Sequence, residues 1–466
     1  MQQIKENFPY QPTFEQEKVI KRLADFLFLP QNDTLFLLKG YAGTGKTTLF
    51  SALVKTLDQL QQKCVLLAPT GRAAKVFAAY AEHPAFTIHK KIYRQQSVAA
   101  DMGSFSLNAN LSKHTLFIVD EASMIANEGV GGSAFGSGCL LDDLVQFVYE
   151  GEGCRLMLMG DTAQLPPVGE ELSPALTVGA LRRYGLQVME ETLTQVVRQG
   201  ADSGILWNAT ALREMLVSGN CFALPKVKLS GFADIRLLPG DELIEQLEEC
   251  YRTDGEDDTI VICRSNKRAN IYNNGIRSRI LWRESELEGG DRVMVAKNNY
   301  FWVQQDNQVD FIANGEMAVV RRVRNKRELY GFHFADVSLT LSDNADTEVE
   351  ATMLLDTLHS EAPALTREEN EQLFNQVMED YADVSIKRER IKKLKENPYY
   401  NALQVKYAYA VTCHKAQGGQ WKHVFLDQGY MPEESLTPDY FRWLYTAFTR
   451  ATGTLYLVNY PKDQIM

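Results

Sequence analysis

One short glycine-rich segment constrains this chain more than any other part of its sequence. Residues 40–47 read Gly-Tyr-Ala-Gly-Thr-Gly-Lys-Thr and match the phosphate-loop pattern G-x-x-x-x-G-K-[ST] at every fixed position. The apolar run 35–38 before the loop predicts a buried parallel strand, and the run 48–53 after it predicts a helix. Glycines let a backbone curl around an anion, toward which the loop N–H groups and the helix N-terminus then point. The segment therefore predicts a nucleoside triphosphate site in a parallel α/β domain.

The polar residues of this loop have predicted tasks. Lys46 places a cation between the outer phosphates, and the Thr47 hydroxyl can ligate Mg²⁺. The loop backbone and the first helical residues surround the phosphate chain. The predicted nucleotide contacts in this segment are Gly40, Ala42, Gly43, Thr44, Gly45, Lys46, Thr47 and Thr48.

Length and composition limit the class of protein. A chain of 466 residues with 45% apolar and 23% charged residues is expected to form a soluble globular protein of two to four domains. The net charge of −11 argues against a general basic surface but leaves room for a local basic groove. The seven cysteines are scattered and never spaced C-x-x-C, which favours a reducing cytoplasm over a disulfide framework or a zinc site. No apolar run is long enough for a membrane span, and the first seven residues lack the apolar core of a signal peptide, so no membrane contact is expected.

Strand and helix patterns alternate in two separate parts of the chain. The first α/β domain is predicted over residues 1–185, with a small polar insertion at 84–112. A second α/β domain is predicted from residues 186–280 and 401–466. Between its two parts, residues 281–400 show antiparallel alternation, which predicts a small barrel followed by a helical segment. The basic run 387–395 in that segment is interpreted as a solvated helix face.

Carboxylates and a glutamine follow two further strands of the first domain. The apolar run 116–119 ends in Asp120 and Glu121, of which the first would hold Mg²⁺ and the second would orient and deprotonate an attacking water. After the strand that ends near Met159, Gln164 is placed to contact the outermost phosphate. Following a complete phosphate loop, these residues indicate hydrolysis of the nucleotide rather than storage.

Two distant arginines are candidates for stabilising the transition state. Arg198 and Arg450 could each meet the charge that develops on the transferring phosphoryl group, a task that suits a planar guanidinium. A lone arginine is more often part of a surface ion pair. The predicted catalytic residues are therefore Lys46, Glu121, Gln164, Arg198 and Arg450.

The ordered series of these segments resembles the motifs of superfamily 1 helicases, and specifically the RecD-like branch, to which the Pif-type helicases and the phage Dda helicase are similar. The matching stretches are 40–47, 68–75, 120–124, 160–168, 197–199, 411–418 and 445–451. The resemblance implies two RecA-like P-loop motor domains with ATP and Mg²⁺ in the cleft, a small pin inserted in the first and an SH3-like β-barrel inserted in the second. It also implies 5′ to 3′ movement on single-stranded DNA, unwinding of duplex or forked DNA, and a motor that works as a monomer.

The resemblance also carries roles to individual residues. Gln16 resembles the glutamine that reads the adenine edge, although an ordinary helix residue is the alternative, and Gln417 and Gly418 resemble residues near the nucleotide. Grips that hold phosphates without reading bases would show little sequence preference. His89 alone would more often be a structural histidine. The implied single-strand contacts are Pro69, Thr70, Gly71, Arg72, Thr87, His89, Pro166, Thr412, His414 and Lys415.

Three other functions stay open at this point. The chain could be the motor subunit of a nuclease-helicase complex, in which case a partner would cut, because no spare Asp/Glu/Lys cluster suggests a nuclease here. It could act on RNA, since phosphate grips poorly separate RNA from DNA. It could also be an ATP-gated clamp with little turnover, which the intact set of predicted catalytic residues argues against.

Overall fold

The computed structural model describes residues 1–95, 105–127, 136–197, 202–302, 311–342 and 348–466. The strands in chain order are β1 (Thr34–Gly40), β2 (Cys64–Ala68), β3 (Ala85–Thr87), β4 (Tyr93–Gln95), β5 (Phe105–Leu107), β6 (Leu116–Val119), β7 (Arg155–Gly160), β8 (Gln187–Leu193), β9 (Ile235–Leu238), β10 (Thr259–Cys263), β11 (Arg292–Val295), β12 (Met317–Leu329), β13 (Phe332–Leu341), β14 (Glu348–Leu354), β15 (Leu403–Tyr407), β16 (Ala410–Thr412), β17 (Trp421–Asp427) and β18 (Ala451–Val458). The helices are α1 (Gln2–Glu6), α2 (Phe14–Leu27), α3 (Lys46–Gln59), α4 (Gly71–Ala81), α5 (Ile88–Ile92), α6 (Leu140–Glu150), α7 (Val178–Arg182), α8 (Gly204–Val217), α9 (Leu243–Thr253), α10 (Asn266–Arg279), α11 (Asp356–His359), α12 (Arg367–Glu379), α13 (Lys387–Lys395), α14 (Cys413–Ala416) and α15 (Pro438–Phe448).

The first lobe, residues 1–193, is built on a parallel sheet with the strand order β3-β2-β6-β7-β1-β8. Its central strand β1 is apolar on both faces because helices cover both. Leu35 and Leu37 pack in one buried cluster with residues of α6, whereas Phe36 and Leu38 pack in another with residues of α2 and α3. Strands β6, β7 and β1 are neighbours, so their carboxyl ends meet at one edge of the sheet.

The second lobe has a parallel sheet of its own, with the strand order β16-β10-β17-β18-β9. Its core is largely aliphatic on the strands and aromatic on α15, where Phe441, Tyr445 and Phe448 are fully buried. Strands β11 to β15 form a closed barrel that enters the chain between α10 and β16. The predicted fold class is confirmed: two RecA-like parallel α/β lobes, with a hairpin inserted in the first and a small barrel inserted in the second.

The predicted domain bounds need correction at three points. Strand β8 pairs with β1, so the first sheet continues past the predicted end at residue 185. Strand β15 closes the barrel against β11 and β14, so the barrel extends beyond residue 400, and only β16 belongs to the second sheet. Strand β3 pairs with β2, so the edge of the first sheet lies inside the predicted insertion 84–112. Apolar strands that follow one another without a change of composition hide such boundaries.

The hairpin β4–β5 of the first lobe contacts residues that lie between the barrel strands β11 and β12. Phe105 is buried, and its ring centroid lies 4.5 Å from that of Tyr300 and 6.2 Å from that of Phe311. Tyr300 and Phe311 also pack on each other at 5.6 Å. These aromatic contacts join the hairpin to the second lobe's insertion. Within the part of the chain that is described, no helix is both long and apolar enough to cross a membrane.

A buried ion cluster attaches the barrel to the second lobe. Asp291, fully buried just before β11, accepts hydrogen bonds from Arg277 Nε at 2.8 Å and Nη2 at 2.9 Å, and from Arg283 Nη1 at 2.8 Å. The Tyr409 hydroxyl, between β15 and β16, donates to the same carboxylate at 3.2 Å. Burial raises the pKa of Asp291, but the hydrogen bonds from Arg277, the Glu288 amide and Arg283 outweigh it and hold the pKa below its usual value.

We expect Asp291→Asn to lower the free energy of unfolding at pH 7 by about 3–5 kcal/mol, because the buried Arg277 and the partly buried Arg283 lose their anionic partner. The lowered pKa means that the carboxylate stabilises the fold above its unfolded-state pKa of about 3.9. This contribution disappears as pH falls through the folded-state value. Urea unfolding at pH 7 and near pH 3 would measure both effects. Asp241→Asn, an exposed acid before α9, is the matched control. Equal stability of the two variants at pH 7 would contradict the assignment.

Candidate nucleotide-binding cleft and single-strand path

The glycine-rich loop lies between β1 and α3, at the sheet edge where the strand ends meet. Gly43 and Gly45 have φ angles of +73° and +80°, in the left-handed region that other residues rarely adopt. The loop is also close to α2, since a Cβ at Gly45 would lie 2.5 Å from Gln16 Nε2. Helix α3 begins at Lys46, directly after this turn. The sequence therefore folds locally as the phosphate-loop pattern predicts.

Lys46 is held by the loop itself. Its Nζ donates to the carbonyl of Gly40 at 2.5 Å and to that of Tyr41 at 2.9 Å. The Thr44 hydroxyl donates to the Tyr41 carbonyl at 2.8 Å, so its side chain forms a hydrogen bond within the loop. Thr47 lies in the first turn of α3 beside Lys46. The ammonium group thus lies across the mouth of the loop, with carbonyl partners that a phosphate could replace.

Asp120 and Glu121 follow β6 at the same sheet edge. Asp120 accepts a hydrogen bond from the Glu121 amide at 2.7 Å. Burial, and then the neighbouring Glu121 carboxylate, raise the pKa of Asp120, while Lys46 and Arg450 oppose the shift. Glu121 has a φ of +52°, a strained value for a residue with a side chain. Two crowded carboxylates near a lysine are a donor set that suits a divalent cation.

Glu121, Gln164 and Arg450 form a polar cluster across the two lobes. Arg450 Nη1 lies 3.8 Å from Glu121 Oε1. With the Gln164 amide oriented as its neighbours require, its nitrogen donates to Glu121 Oε2 at 3.3 Å and its oxygen accepts from Arg450 Nη2 at 3.2 Å. Arg450 also donates to the carbonyls of Thr446 and Gly419, each at 3.1 Å. Three of the predicted catalytic residues therefore meet at one point; Arg198 lies outside the described residues.

Side chains of the second lobe hydrogen-bond to the backbone of the loop after β7. The Leu165 N–H donates to the Thr446 hydroxyl at 2.9 Å, and the Leu165 carbonyl accepts from Gln417 Nε2 at 2.8 Å. Both polar groups of one peptide residue are thus paired across the cleft. Gln417, which the family resemblance assigned to the nucleotide, contacts this loop instead of the phosphate loop in the present conformation.

Tyr445 is a cross-lobe residue that sequence reasoning missed. Its hydroxyl donates to Asp161 Oδ2 at 2.6 Å and accepts from the Ala42 N–H of the phosphate loop at 2.8 Å. Asp161 and Tyr445 are both 1% exposed. The available signal was position: Tyr445 and Thr446 lie five and four residues before Arg450, and all three side chains contact the first lobe.

Two other predicted nucleotide contacts are engaged within the protein. Gln16 accepts from the Thr13 N–H at 2.9 Å in the capping box of α2 and donates to the Thr44 carbonyl at 3.1 Å. Gly418, with a φ of +72°, lies against α4: a Cβ there would be 2.9 Å from the Ala73 Cβ and 3.1 Å from Thr70 Oγ1. Gln16 remains placed beside the loop, whereas Gly418 contacts the predicted single-strand path. Their nucleotide roles stay predictions.

The predicted single-strand contacts of the first lobe begin helices. Thr70 caps α4 by accepting from the Ala73 N–H at 3.2 Å, and Thr87 caps α5 by accepting from the Lys90 N–H at 3.2 Å. The Arg72 guanidinium stacks 3.9 Å above the Trp421 ring of the second lobe and donates to the Gln420 carbonyl at 3.1 Å. Pro69, Thr70, Gly71 and Arg72 therefore border the interface between the lobes.

The imidazoles on this path are neutral near pH 7. Burial lowers the pKa of His89 to about 4. Burial also lowers the pKa values of His414 and Lys415. His89 packs on Tyr93 at 5.7 Å and on Phe311 at 6.4 Å, which is the structural setting that the alternative interpretation expected. Contacts by these histidines to a strand would be neutral hydrogen bonds.

A cavity of about 300 Å³ brings Pro166 and His414 together between the lobes. The Arg264 guanidinium lines it and lies 5.8 Å from the Tyr440 ring and 6.0 Å from the Trp443 ring. Both rings are buried, so the feature of this cavity that suits a nucleic acid is the arginine cation, which could pair with a phosphate. Arg264 had no motif to mark it, because it follows β10 in an otherwise ordinary strand-to-helix turn. Thr412 and Lys415 lie on either side of His414 at the start of α14.

Known proteins match this chain in two regions. Residues 14–216 match the family described as AAA domain, and residues 407–458 match the UvrD-like helicase C-terminal domain. The first match contains the phosphate loop, Asp120, Glu121 and Gln164, and the second contains Thr412, His414, Lys415 and Arg450. Both ends of the motif series therefore lie in matched regions.

Individual proteins share between 16% and 32% of their residues with this chain in the aligned regions. The uncharacterized protein R530 of Acanthamoeba polyphaga mimivirus is 22% identical in an alignment of 500 positions that covers 92% of this chain and 96% of that protein. The ATP-dependent RecD2 DNA helicase of Deinococcus radiodurans is 32% identical over 199 residues, 42% of this chain and 23% of that protein. A solved Pif1 helicase from Bacteroides in complex with ADP-AlF3 and ssDNA is 16% identical, with a TM-score of 0.47 over 98% of this chain and 95% of that one.

We expect Tyr445→Phe to speed amide hydrogen exchange at Ala42, because that N–H loses its acceptor while the buried ring is retained. Asp161 also loses a donor, so a decrease in unfolding free energy of about 1–3 kcal/mol should accompany it. Mass spectrometry of peptides covering the phosphate loop would measure the exchange. Tyr440→Phe is the matched control, since its hydroxyl bonds Gln428 at 2.7 Å within the second lobe. Equal exchange at Ala42 in both variants would refute the bridge.

Proposed function

We propose that this chain belongs to the RecD- and Pif-like branch of helicase superfamily 1 and is an ATP-driven motor that moves along single-stranded DNA and separates duplex DNA ahead of it. The observation that carries the proposal is the cluster of Glu121, Gln164 and Arg450. It joins the first lobe to the second beside Lys46, so a nucleotide on the loop would sit where both lobes can respond to it. The direction, 5′ to 3′, rests on the resemblance in the motifs.

The side chains divide the work of hydrolysis. Lys46 binds the outer phosphates, and Thr47 and Asp120 offer the oxygen ligands that would hold Mg²⁺, which supplies charge neutralisation on the phosphates. Glu121 accepts a proton from the attacking water. The water oxygen bonds to the terminal phosphorus, and the bond between that phosphorus and the ADP oxygen breaks. Gln164 orients the reacting groups, and Arg450 stabilises the charge that develops on the transferring phosphoryl group.

Nucleotide binding exchanges partners at both lobes. Lys46 leaves the carbonyls of Gly40 and Tyr41, and Arg450 turns from the Gly419 carbonyl toward phosphate. Because Arg450 belongs to the second lobe, its attraction to the phosphates depends on how closely the lobes approach. ATP and its products thus favour different separations, and a strand held by both lobes is moved as the separation changes.

The state of the cysteines bears on the cellular setting. All seven cysteines lie among the described residues and are unpaired, which suits a reducing cytoplasm. The proposed partners are single-stranded and forked DNA, and the proposed working unit is one chain, because both lobes of the cleft come from the same polypeptide.

Steady-state turnover with and without single-stranded DNA tests the function directly. We expect ATP hydrolysis to be stimulated strongly by the strand, and Lys46→Ala to abolish turnover and unwinding while the fold persists. Duplexes with a 5′ or a 3′ tail then give the direction, and matched RNA strands separate an RNA motor from a DNA motor. Hydrolysis that ignores the strand, or is absent, would exclude the motor.

We expect Arg450→Ala to lower kcat for ATP by about 10³-fold or more while the affinity for ATP changes far less, since the guanidinium acts mainly in the transition state. Single-turnover hydrolysis and equilibrium binding of a fluorescent ATP analogue would separate the two quantities. Arg236→Ala, an exposed arginine of the same lobe, is the control. Parallel losses of binding and of turnover would contradict this role.

A further inference from the structure

Positive charge is concentrated in two short segments of the barrel and its helical insertion. Residues 321–327 of β12 and residues 387–395 of α13 contain eleven of the chain's 49 lysines and arginines and one acidic residue. These sixteen residues carry a net charge of +10 in a chain whose total is −11. The second segment alone was interpreted as a solvated helix face, but the structure relates it to the first.

The helices α12 and α13 pack on the end of the β12–β13 hairpin. Phe332 and Phe334 of β13 share a buried cluster with Leu373, Val377 and Leu394 of the helices. At the edge of this cluster, the Arg327 guanidinium lies 5.3 Å from the Tyr399 ring, and Lys393 Nζ lies 5.8 Å from the Tyr381 ring. The two basic segments are therefore attached to the same buried apolar cluster.

The cations of the strand are exposed and not neutralised. Arg321, Arg322, Arg324 and Lys326 form no ion pair with any residue that the structure describes. The neighbouring Arg327, by contrast, pairs with Asp336. On α13, Lys387 and Arg388 are likewise exposed without an ion pair among the described residues, and Lys392 lies 3.9 Å from Glu396. Although the chain has 60 acidic residues, none that the structure describes pairs with these six cations, which could therefore bind an external anion.

The shape and composition of the surface favour a duplex. The strand segment 321–327 extends for about 20 Å and α13 for about 12 Å, over which B-DNA presents one phosphate charge every 1.7 Å or so. Neither segment contains an aromatic residue on which an unpaired base could stack, and Arg327 and Lys393 lie over the rings of Tyr399 and Tyr381. Leu394, the most deeply buried apolar residue of α13, packs into the protein, which leaves no broad apolar face for a membrane.

We propose that Arg321, Arg322, Arg324 and Lys326, together with Lys387 and Arg388, form a docking surface for duplex DNA that is separate from the cleft between the lobes. The surface binds phosphates on both strands and does not read base sequence. It rests on the proposed function in that DNA is taken as the substrate, and it adds a second, double-stranded contact to the motor. The barrel thereby holds the duplex while the cleft acts on the strand.

Binding of a blunt DNA duplex without tails, measured by fluorescence anisotropy at several NaCl concentrations, tests the surface. The variant R321Q/R322Q/R324Q/K326Q should bind the duplex about tenfold or more weakly. Its slope of log K against log salt should be shallower by about 0.9 for each phosphate that the variant no longer neutralises. The control K21Q/K63Q/K113Q/K226Q removes the same charge from exposed sites in other elements and should bind like the wild type. Arg→Lys changes at 321, 322 and 324 should preserve most of the affinity, because they preserve the charge.

Turnover of ATP with single-stranded DNA separates this surface from the motor. We expect the glutamine variant to keep strand-stimulated hydrolysis within about twofold of the wild type and to keep the wild-type circular dichroism spectrum. Wild-type chain that does not bind the blunt duplex, or an unchanged salt slope in the variant, would overturn the surface even if the motor works. A variant that loses single-strand binding or binding to anionic lipid vesicles, but not duplex binding, would also overturn it. Wild-type hydrolysis that ignores single strands would instead refute the proposed function.

Discussion

The contact between the loop after β7 and the helix α15 is the interaction on which the arrangement of the two lobes depends. Leu165 gives both of its backbone hydrogen bonds to the second lobe, and Tyr445 reaches into the first lobe to join Asp161 with the Ala42 N–H. Three of these bonds are buried and the one between Tyr445 and Ala42 is partly buried, so protein groups rather than bulk water satisfy these donors and acceptors. The phosphate loop, the loop after β7 and the arginine that follows α15 are thereby parts of one hydrogen-bonded unit.

The cations of this unit donate hydrogen bonds to backbone carbonyls, which a nucleotide could replace. Lys46 bonds two loop carbonyls, and Arg450 bonds two carbonyls of its own lobe while Glu121 lies at 3.8 Å. A phosphate oxygen is a stronger acceptor for either cation than a peptide carbonyl. The protein therefore avoids an unpaired buried charge without creating an ion pair too strong for a nucleotide to displace. The φ of +52° at Glu121 indicates that the backbone is strained to aim this carboxylate.

The sequence predicts this site unevenly, for physical reasons that differ by residue. Lys46, Asp120, Glu121 and Gln164 follow strand ends, and the carboxyl edge of a parallel sheet brings such residues together wherever they occur along the chain. Their positions could therefore be read from strand patterns. Tyr445 lies inside α15 and acts through the packing of one lobe on the other, which local pattern does not encode. Arg264 also follows a strand end, but its neighbours in the sequence form no motif that would mark it.

The strands, like the site residues, could be predicted one by one from local sequence, but their assignment to a sheet or barrel could not. The strands were recognisable because each is apolar and buried, yet β8 and β15 were assigned to the wrong units. An apolar strand satisfies the requirements of any sheet equally well, so its composition does not say which neighbours it will have. The barrel was found from its alternation, whereas its closure by β15 depends on pairing across more than a hundred residues.

The junction between β15 and β16 has a mechanical consequence. Only two residues separate the barrel strand from the sheet strand, and the buried Asn273 amide fixes this step by accepting from the Tyr409 and Ala410 N–H groups at 3.0 and 2.7 Å. Because the connection is short and its backbone is bonded to a buried side chain, we expect the barrel to turn together with the sheet. A rotation of a few degrees at the cleft would then displace the outer rim of the barrel, and the displacement grows with the distance of the rim from the rotation axis.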